Sequence, residues 1–170
     1  GEGVPRRRQN LIENGRLNGM LWSTRDAAQQ VAEGRIEAAH STGSASSGGH
    51  QSPPSTGCTE LFLTSSEQGK SMDDLLKHMG DGYLVNSVMG AHTANPSSGD
   101  FSVTTSSILK VEGGEIVGSL KQAGFSGNLA KALNGAVVLG ADVRRQGSYS
   151  SGSMHLPDVL MMDGLRINPA

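Results

Sequence analysis

Two dipeptides, Asn14-Gly15 and Gly113-Gly114, most constrain how this chain can fold. Each sits between two runs that carry apolar residues. A two-residue connection of this kind needs positive φ, which Gly and Asn supply at low cost, and it turns the flanking runs back on each other as an antiparallel hairpin. Residues 9–13 therefore pair with 16–22, and 101–112 with 115–122. Further strand-like runs occupy 59–64, 83–89 and 136–143, and a last one follows Pro157 through Val159, Leu160 and Met161. Helical spacing is confined to three short stretches. One starts at a Ser23 or Thr24 cap and runs through Ala27, Ala28, Val31 and Ala32 to Gly34. Another is capped by Ser71, with Asp74 three residues on, and presents Leu75, Leu76 and Met79 before Gly80. The third covers 128–133 with Ser126 as its cap. None is the long crossover that parallel strands require. The expected fold is α+β: a mostly antiparallel, curled or barrel-like β-sheet of about eight strands with about three short helices.

Composition narrows the function classes. Only 35% of the residues are hydrophobic and 4% aromatic, while glycine numbers 24, which fits a turn-rich chain of 170 residues in one domain. A net charge of −2 gives no general attraction to nucleic acid or to an anionic membrane, so no direct nucleic-acid binding is expected. The one basic run, Arg6-Arg7-Arg8, reads as a solvated strand end. A single cysteine, Cys58, excludes an intrachain disulfide and fits a reducing compartment. No apolar run approaches the roughly 20 residues that span a bilayer, and no signal-peptide pattern opens the chain. A cytoplasmic location is expected, with no membrane partner. The opening Gly-Glu-Gly-Val-Pro-Arg reads as the middle of something longer, so residues 1–170 are expected to be the C-terminal domain of a larger protein. Residues 41–57 are rich in Ser, Thr, Gly and Pro and are read as a mobile loop.

The densest backbone-shaping chemistry lies in residues 90–102, between two strand-like runs. Asn95-Pro96 starts a turn, Ser97, Ser98 and Asp100 can cap free N–H groups, and Gly99 offers positive φ. Two readings stand side by side. The loop is an ordinary turn between strands, with Asp100 a local cap. Alternatively, it approaches a ligand or partner closely, with Asn95, Ser98, Gly99, Asp100, Phe101 and Ser102 as contacts and Asp100 orienting a peptide or a partner subunit. Asn128 reads as a first-turn helix residue.

Other chemistry is thin. The histidines are His40, His50, His78, His92 and His155, and no two stand four apart as a helical metal-binding pair would. Cys58, His92 and His155 are the remaining combination for a metal site assembled in space. Residues 43–48 mimic a serine-nucleophile elbow without the strand that motif needs. Gly69-Lys70-Ser71 is the end of a phosphate-cradle motif without its beginning, and reads as a capped helix start.

Several blocks together resemble the C-terminal portion of the TldD/PmbA family. They are Leu11-Ile12-Glu13-Asn14-Gly15, Ser41-Thr42-Gly43, Gly69-Lys70-Ser71, Ala94-Asn95-Pro96-Ser97-Ser98-Gly99-Asp100-Phe101-Ser102, Gly114-Glu115-Ile116 and Ser126-Gly127-Asn128-Leu129. The resemblance implies peptidase assemblies that act on peptides or unfolded segments, also described as modulators of DNA gyrase. In that family the TldD-like branch holds zinc with His-Glu-x-x-x-His and a distant cysteine, and the PmbA or TldE branch lacks the metal site and pairs with it. The wording of residues 95–102 resembles the PmbA branch. The family's cysteine position falls near Ser151, and no cysteine follows Cys58. A serine hydroxyl is a poor zinc ligand beside a thiolate. The resemblance thus implies a non-catalytic, peptide-binding or scaffolding part of a metallopeptidase complex, with no cofactor in this chain and zinc in the complex or a partner subunit. Its expected partners are a TldD-like subunit or a second copy of itself, as a dimer, and a peptide substrate. Two alternatives stay open: a fragment of an active zinc metallopeptidase whose metal helix lies upstream, and a gyrase-modulating interaction module.

Overall fold

The structure is a computed structural model and describes residues 2–65, 68–147 and 152–169. In chain order its elements are β1 (Ile12–Glu13), β2 (Arg16–Leu17), α1 (Thr24–Ala32), β3 (Ala45–Ser46), β4 (Ser55–Thr56), β5 (Glu60–Phe62) and α2 (Met72–Met79). There follow β6 (Gly82–Met89), a 3-10 turn (Ala91–Thr93), β7 (Asp100–Glu112), β8 (Glu115–Leu120), β9 (Ala123–Asn128), α3 (Leu129–Asn134), β10 (Val137–Gly147), β11 (Ser153–Met161) and β12 (Leu165–Pro169). The elements group into two compact units, Gly1–Phe62 with Arg145–His155, and Leu63–Arg144 with Leu156–Ala170.

In the first unit, Asn14 and Gly15 take φ values of 49° and 75°, so both central turn residues are left-handed and β1 folds onto β2 as the dipeptide predicts. Ser23 caps α1, its hydroxyl accepting the Asp26 N–H at 2.9 Å. Gly34, at φ 67°, lies just past the helix end. Within residues 41–57, β3 and β4 form a two-residue antiparallel ladder. Residues 153–155 of β11 pair in parallel with β5, a parallel pair in a mostly antiparallel fold. The buried side chains of this unit are small: Ser23, Ala27, Ser44 and Ala45.

The second unit is built on β7, a 13-residue strand with neighbours on both flanks along much of its length. On one side it pairs with β6; on the other its first half pairs with β9 and its second half with β8, and β12 adds beyond β9. All these pairings are antiparallel. Val103, Thr105, Ile108 and Val111 of β7 are buried, together with Leu75 and Leu76 of α2, Ala123 of β9 and Ala132 of α3. The steps from Thr105 to Ile108 and from Ile108 to Val111 break strict alternation, because the register shifts opposite β6 between Thr104 and Ile108 and opposite β8 between Lys110 and Val111. Gly113 and Gly114 turn β7 into β8, and the turn is tied down: the Asp81 carboxylate accepts the Gly113 N–H at 2.8 Å and the Gly80 carbonyl accepts that of Gly114 at 2.7 Å. In this unit β10 lies beside β11, and Arg144 pairs with Asp158 at 2.7 Å.

The α+β, mostly antiparallel expectation holds, and among the described residues no sheet closes into a barrel. Two readings of the sequence need correction. Ser126 does not cap a helix: it lies inside β9, and the helix begins one residue after its true cap, Asn128. The final region holds two strands rather than one. β11 starts at Ser153 and runs through a buried Pro157, and β12 follows Gly164.

Candidate functional site

Residues 90–102 form a loop shaped almost wholly by its own side chains. Gly90, at φ 87°, opens the 3-10 turn, and its carbonyl accepts both the Thr93 N–H (2.9 Å) and the Thr93 hydroxyl (2.8 Å). Asn95 Oδ1 then accepts the N–H groups of Ser97 (2.9 Å) and Ser98 (3.1 Å), the side-chain turn that Asn favours. The Asn95 carbonyl accepts the Gly99 N–H at 2.9 Å, and the Asn95 N–H donates to the Asp100 carbonyl at 2.9 Å. Ser98 Oγ accepts the Asp100 N–H at 3.2 Å. Gly99 stands at φ 77°, so the turn favours glycine for its backbone; a Cβ there would make ordinary contact with Ala130 of α3 at 3.4 Å.

The residue that fixes this loop in place is Asn128. Its Oδ1 accepts the Lys131 N–H at 3.0 Å and so caps α3. Its Nδ2 donates to the Ser98 carbonyl at 2.9 Å and to Asp100 Oδ1 at 2.7 Å. Backbone bonds run alongside: Leu129 N–H to the Gly99 carbonyl at 2.8 Å, and Asn128 N–H to the Gly164 carbonyl at 3.2 Å. One amide thus spends its acceptor on the helix and its donors on the loop. Asp100, opposite Asn128 in the β7–β9 register, is held below the usual carboxylate range, first by the Asn128 amide and then by the Ser98 hydroxyl, with Lys131 adding a smaller pull. Phe101 packs edge-on against Phe125, ring centroids 5.1 Å apart.

All six candidate contacts therefore fall on this loop and the start of β7. Asn95, Ser98, Asp100 and Ser102 are exposed, and Gly99 and Phe101 are half-buried. The ladder with β6 stops at Met89–Thr104, so residues 100–103 are paired with β9 alone. Asn128 was legible only as a helix-start residue. Its second role needs the 28-residue contact to Asp100 that no local pattern announces.

The other candidates are scattered. Ser151 lies outside the described residues. Ser71 caps α2, accepting the Asp74 N–H at 3.2 Å and donating to Asp74 Oδ2 at 2.7 Å, as its spacing predicts. His155 stacks on Phe62 with centroids 4.2 Å apart, and its Nε2 stands 3.9 Å from Glu60 Oε1 with no hydrogen-bond partner. Among the described residues no three His, Cys, Asp or Glu side chains gather into a metal-holding group.

A family model, the PmbA/TldA metallopeptidase C-terminal domain, matches residues 1–167. The chain belongs to the PmbA/TldD family. An uncharacterized protein of Methanocaldococcus jannaschii is 32% identical over 154 residues, covering 91% of this chain and 33% of that protein. The metalloprotease PmbA of Escherichia coli O157:H7 is 32% identical over 92 residues, covering 54% of this chain and 20% of that protein. Among solved structures, TldE from Thermococcus kodakarensis superposes with a TM-score of 0.76 at 26% identity, covering 98% of this chain and 35% of that one. A Thermotoga maritima protein named as a candidate modulator of a DNA gyrase gives 0.73 at 30% identity, covering 99% and 34%. This PmbA/TldD domain thus spans about a third or less of the length of these relatives. The zinc that the family implies finds no assembled donor set among the described residues, and Cys58, the sole thiol of the sequence, is free and half-buried.

Proposed function

We propose that this PmbA/TldD C-terminal domain is a non-catalytic, peptide-binding or scaffolding part of a metallopeptidase complex, and that peptide binding is the role its geometry suits. The reading is carried by the clamp at Asn128, which holds an exposed loop in one conformation beside a length of β7 that β6 leaves uncovered. An extended peptide can take main-chain hydrogen bonds from a strand edge and tolerate varied side chains, as an assembly acting on unfolded segments requires. A loop already ordered before binding reduces the entropic cost of capture. The zinc and the hydrolytic water then belong to a TldD-like partner subunit, with this chain supplying shape. The similarity to TldE favours the paired arrangement, and self-association as a dimer is the other assembly open to it.

The test is peptide binding by the intact protein, followed by a structure of the complex. Peptide seated along residues 95–103 is expected. A complex in which no peptide contacts that loop or any sheet edge would overturn the reading. A second reading, that the whole protein is itself a metallopeptidase, is favoured by the Escherichia coli relative's name. Stoichiometric zinc in the purified intact protein, retained without any partner, decides for it and against the first.

A further inference from the structure

The basic run Arg6-Arg7-Arg8 finds no use in the loop just described, yet two of its arginines, Arg7 and Arg8, line a groove. In the first unit, residues 4–9 run beside residues 40–43. The contact is close: Gly43, at φ 70°, is placed so that a Cβ would stand 2.5 Å from the Pro5 carbonyl oxygen. Gln9 Nε2 donates to the Thr42 carbonyl at 3.3 Å and Ser41 Oγ donates to Glu2 at 2.7 Å. Between the two segments lies a solvent-open groove of about 470 Å³, lined mostly by exposed side chains.

The chemistry of its walls is one-sided. Arg7, Arg8 and His40 supply donors, and Val4 and Pro5 supply an apolar side. Most other polar groups nearby are already engaged. Thr42 Oγ1 exchanges hydrogen bonds with Trp22 and Ser44, and the Glu2 carboxylate is taken up by Ser41 and the Thr24 N–H. Among the described residues neither Arg7 nor Arg8 has an ion-pair or hydrogen-bond partner, whereas Arg35 and Arg144 each have a carboxylate. Two unpaired guanidinium forks beside an apolar wall match a carboxylate on a short hydrophobic stem, which two parallel N–H···O bonds can grip.

We propose that this groove binds the carboxylate of an acidic peptide residue or peptide terminus, so that the domain prefers acidic segments among the peptides it holds. The inference rests on the reading that this domain holds peptides, and it gives the first unit a carboxylate contact of its own, separate from residues 95–103. A nucleic-acid backbone is the less suitable occupant, because phosphate tracking needs a long cationic stripe and this chain carries a net −2 charge.

The experiment uses the 170-residue chain, and the intact protein in parallel, with two short fluorescent peptides that differ only in Glu against Gln. Fluorescence anisotropy is expected to show the acidic peptide binding about tenfold more tightly, as a pair of charge-assisted bonds allows. The double variant Arg7→Gln/Arg8→Gln is expected to erase that preference while leaving the neutral peptide unchanged, and Arg6→Gln, outside the groove, to keep it. If both peptides bind equally and the double variant changes nothing, the groove proposal fails and peptide binding stands. If neither peptide binds, both fail. If Arg6→Gln weakens the acidic peptide as much as the double variant does, only general charge attraction is at work and the groove is refuted. A single-stranded oligonucleotide that displaces the acidic peptide at equal concentration would reassign the groove to phosphate and overturn the proposal.

Discussion

Replacing Asn128 by Ala removes three hydrogen bonds with one substitution, and the structure allows two of them to be weighed. Loss of an N-cap costs about 1 kcal/mol. Loss of the bond to the Ser98 carbonyl costs about 1 kcal/mol more, the usual net value for a neutral pair. The bond to Asp100 is exposed and is given no separate figure. Asn128→Ala is thus expected to destabilise the chain by about 2 kcal/mol, lowering the urea midpoint by about 1 M if the slope is about 2 kcal/mol per molar. Asn128→Asp separates the two roles, because a carboxylate caps a helix as well as an amide does but cannot donate to the loop. It also sets two carboxylates against each other at the Asp100 position. It should therefore keep the α3 cap, lose the loop clamp, and recover part of its deficit as pH falls and one carboxyl of the pair takes up a proton, which the neighbouring negative charge makes easier than for an isolated Asp. Urea titration with hydrogen exchange at Ser97 to Leu129 reads both effects. If Asn128→Asp matches the wild type in midpoint and in loop protection, the clamp contributes nothing and the case for a preordered loop falls with it.

Four further outcomes follow from the same geometry. Ile108→Ala, at a side chain only 1% exposed in the middle of β7, should cost about 2–5 kcal/mol, measured by denaturant unfolding. Gly114→Ala should destabilise more than Gly113→Asn: a Cβ on Gly114 meets Lys77 Cα at 2.9 Å, whereas Gly113 faces open space and Asn tolerates its positive φ, and thermal unfolding of the pair checks this. Asp100, Asp74 and Glu2 are all held below the usual carboxylate range, by Asn128, Ser71 and Ser41 respectively as the leading cause. Their contribution is therefore present above the unfolded value near pH 4 and is lost as pH falls through the lower folded values; Asp74→Asn should flatten that acid limb in a pH series of unfolding curves. Ile116→Lys with Val117→Lys, on the exposed edge strand β8, should leave the melting temperature unchanged and reduce self-association in sedimentation, because these side chains are 49% and 53% exposed.

The parts legible in the sequence are those that local chemistry decides. Asn14-Gly15 and Gly113-Gly114 turn as their φ preferences demand. Ser23 and Ser71 cap their helices because a hydroxyl three residues before a free N–H has little else to bond. Residues 95–100 were legible only in part: the turn and the Ser98 cap of the Asp100 N–H stand as read, but Asn95 Oδ1 is the acceptor for Ser97 and Ser98, and the Asp100 carboxylate meets the Asn128 amide. The family resemblance added what local reasoning lacks, a function class, but not the geometry of any contact.

The misread stretch, β9, shows where local chemistry stops. Ala123-Gly124-Phe125-Ser126-Gly127-Asn128 has two glycines and a serine, a composition that argues for a turn or a cap and against a strand interior. It is a strand because of what it must touch. Gly127 lies so close to the Gly164 carbonyl that any side chain would collide with it, so glycine here admits β12 rather than breaking β9. Ala123 is fully buried for the same reason of closeness, and Phe125 is the one large side chain, set against Phe101. Small residues that look like punctuation along the chain are packing choices across the sheet, and they bring Asn128 to the spot where it reaches Asp100. If that logic is right, Gly127→Ala should lose both the β9–β12 pairing and the protection of the 95–100 loop together, although the two lie on opposite sides of β9. Hydrogen exchange that shows β12 loosened but the loop unchanged would mean that the clamp does not depend on how closely the sheet is packed.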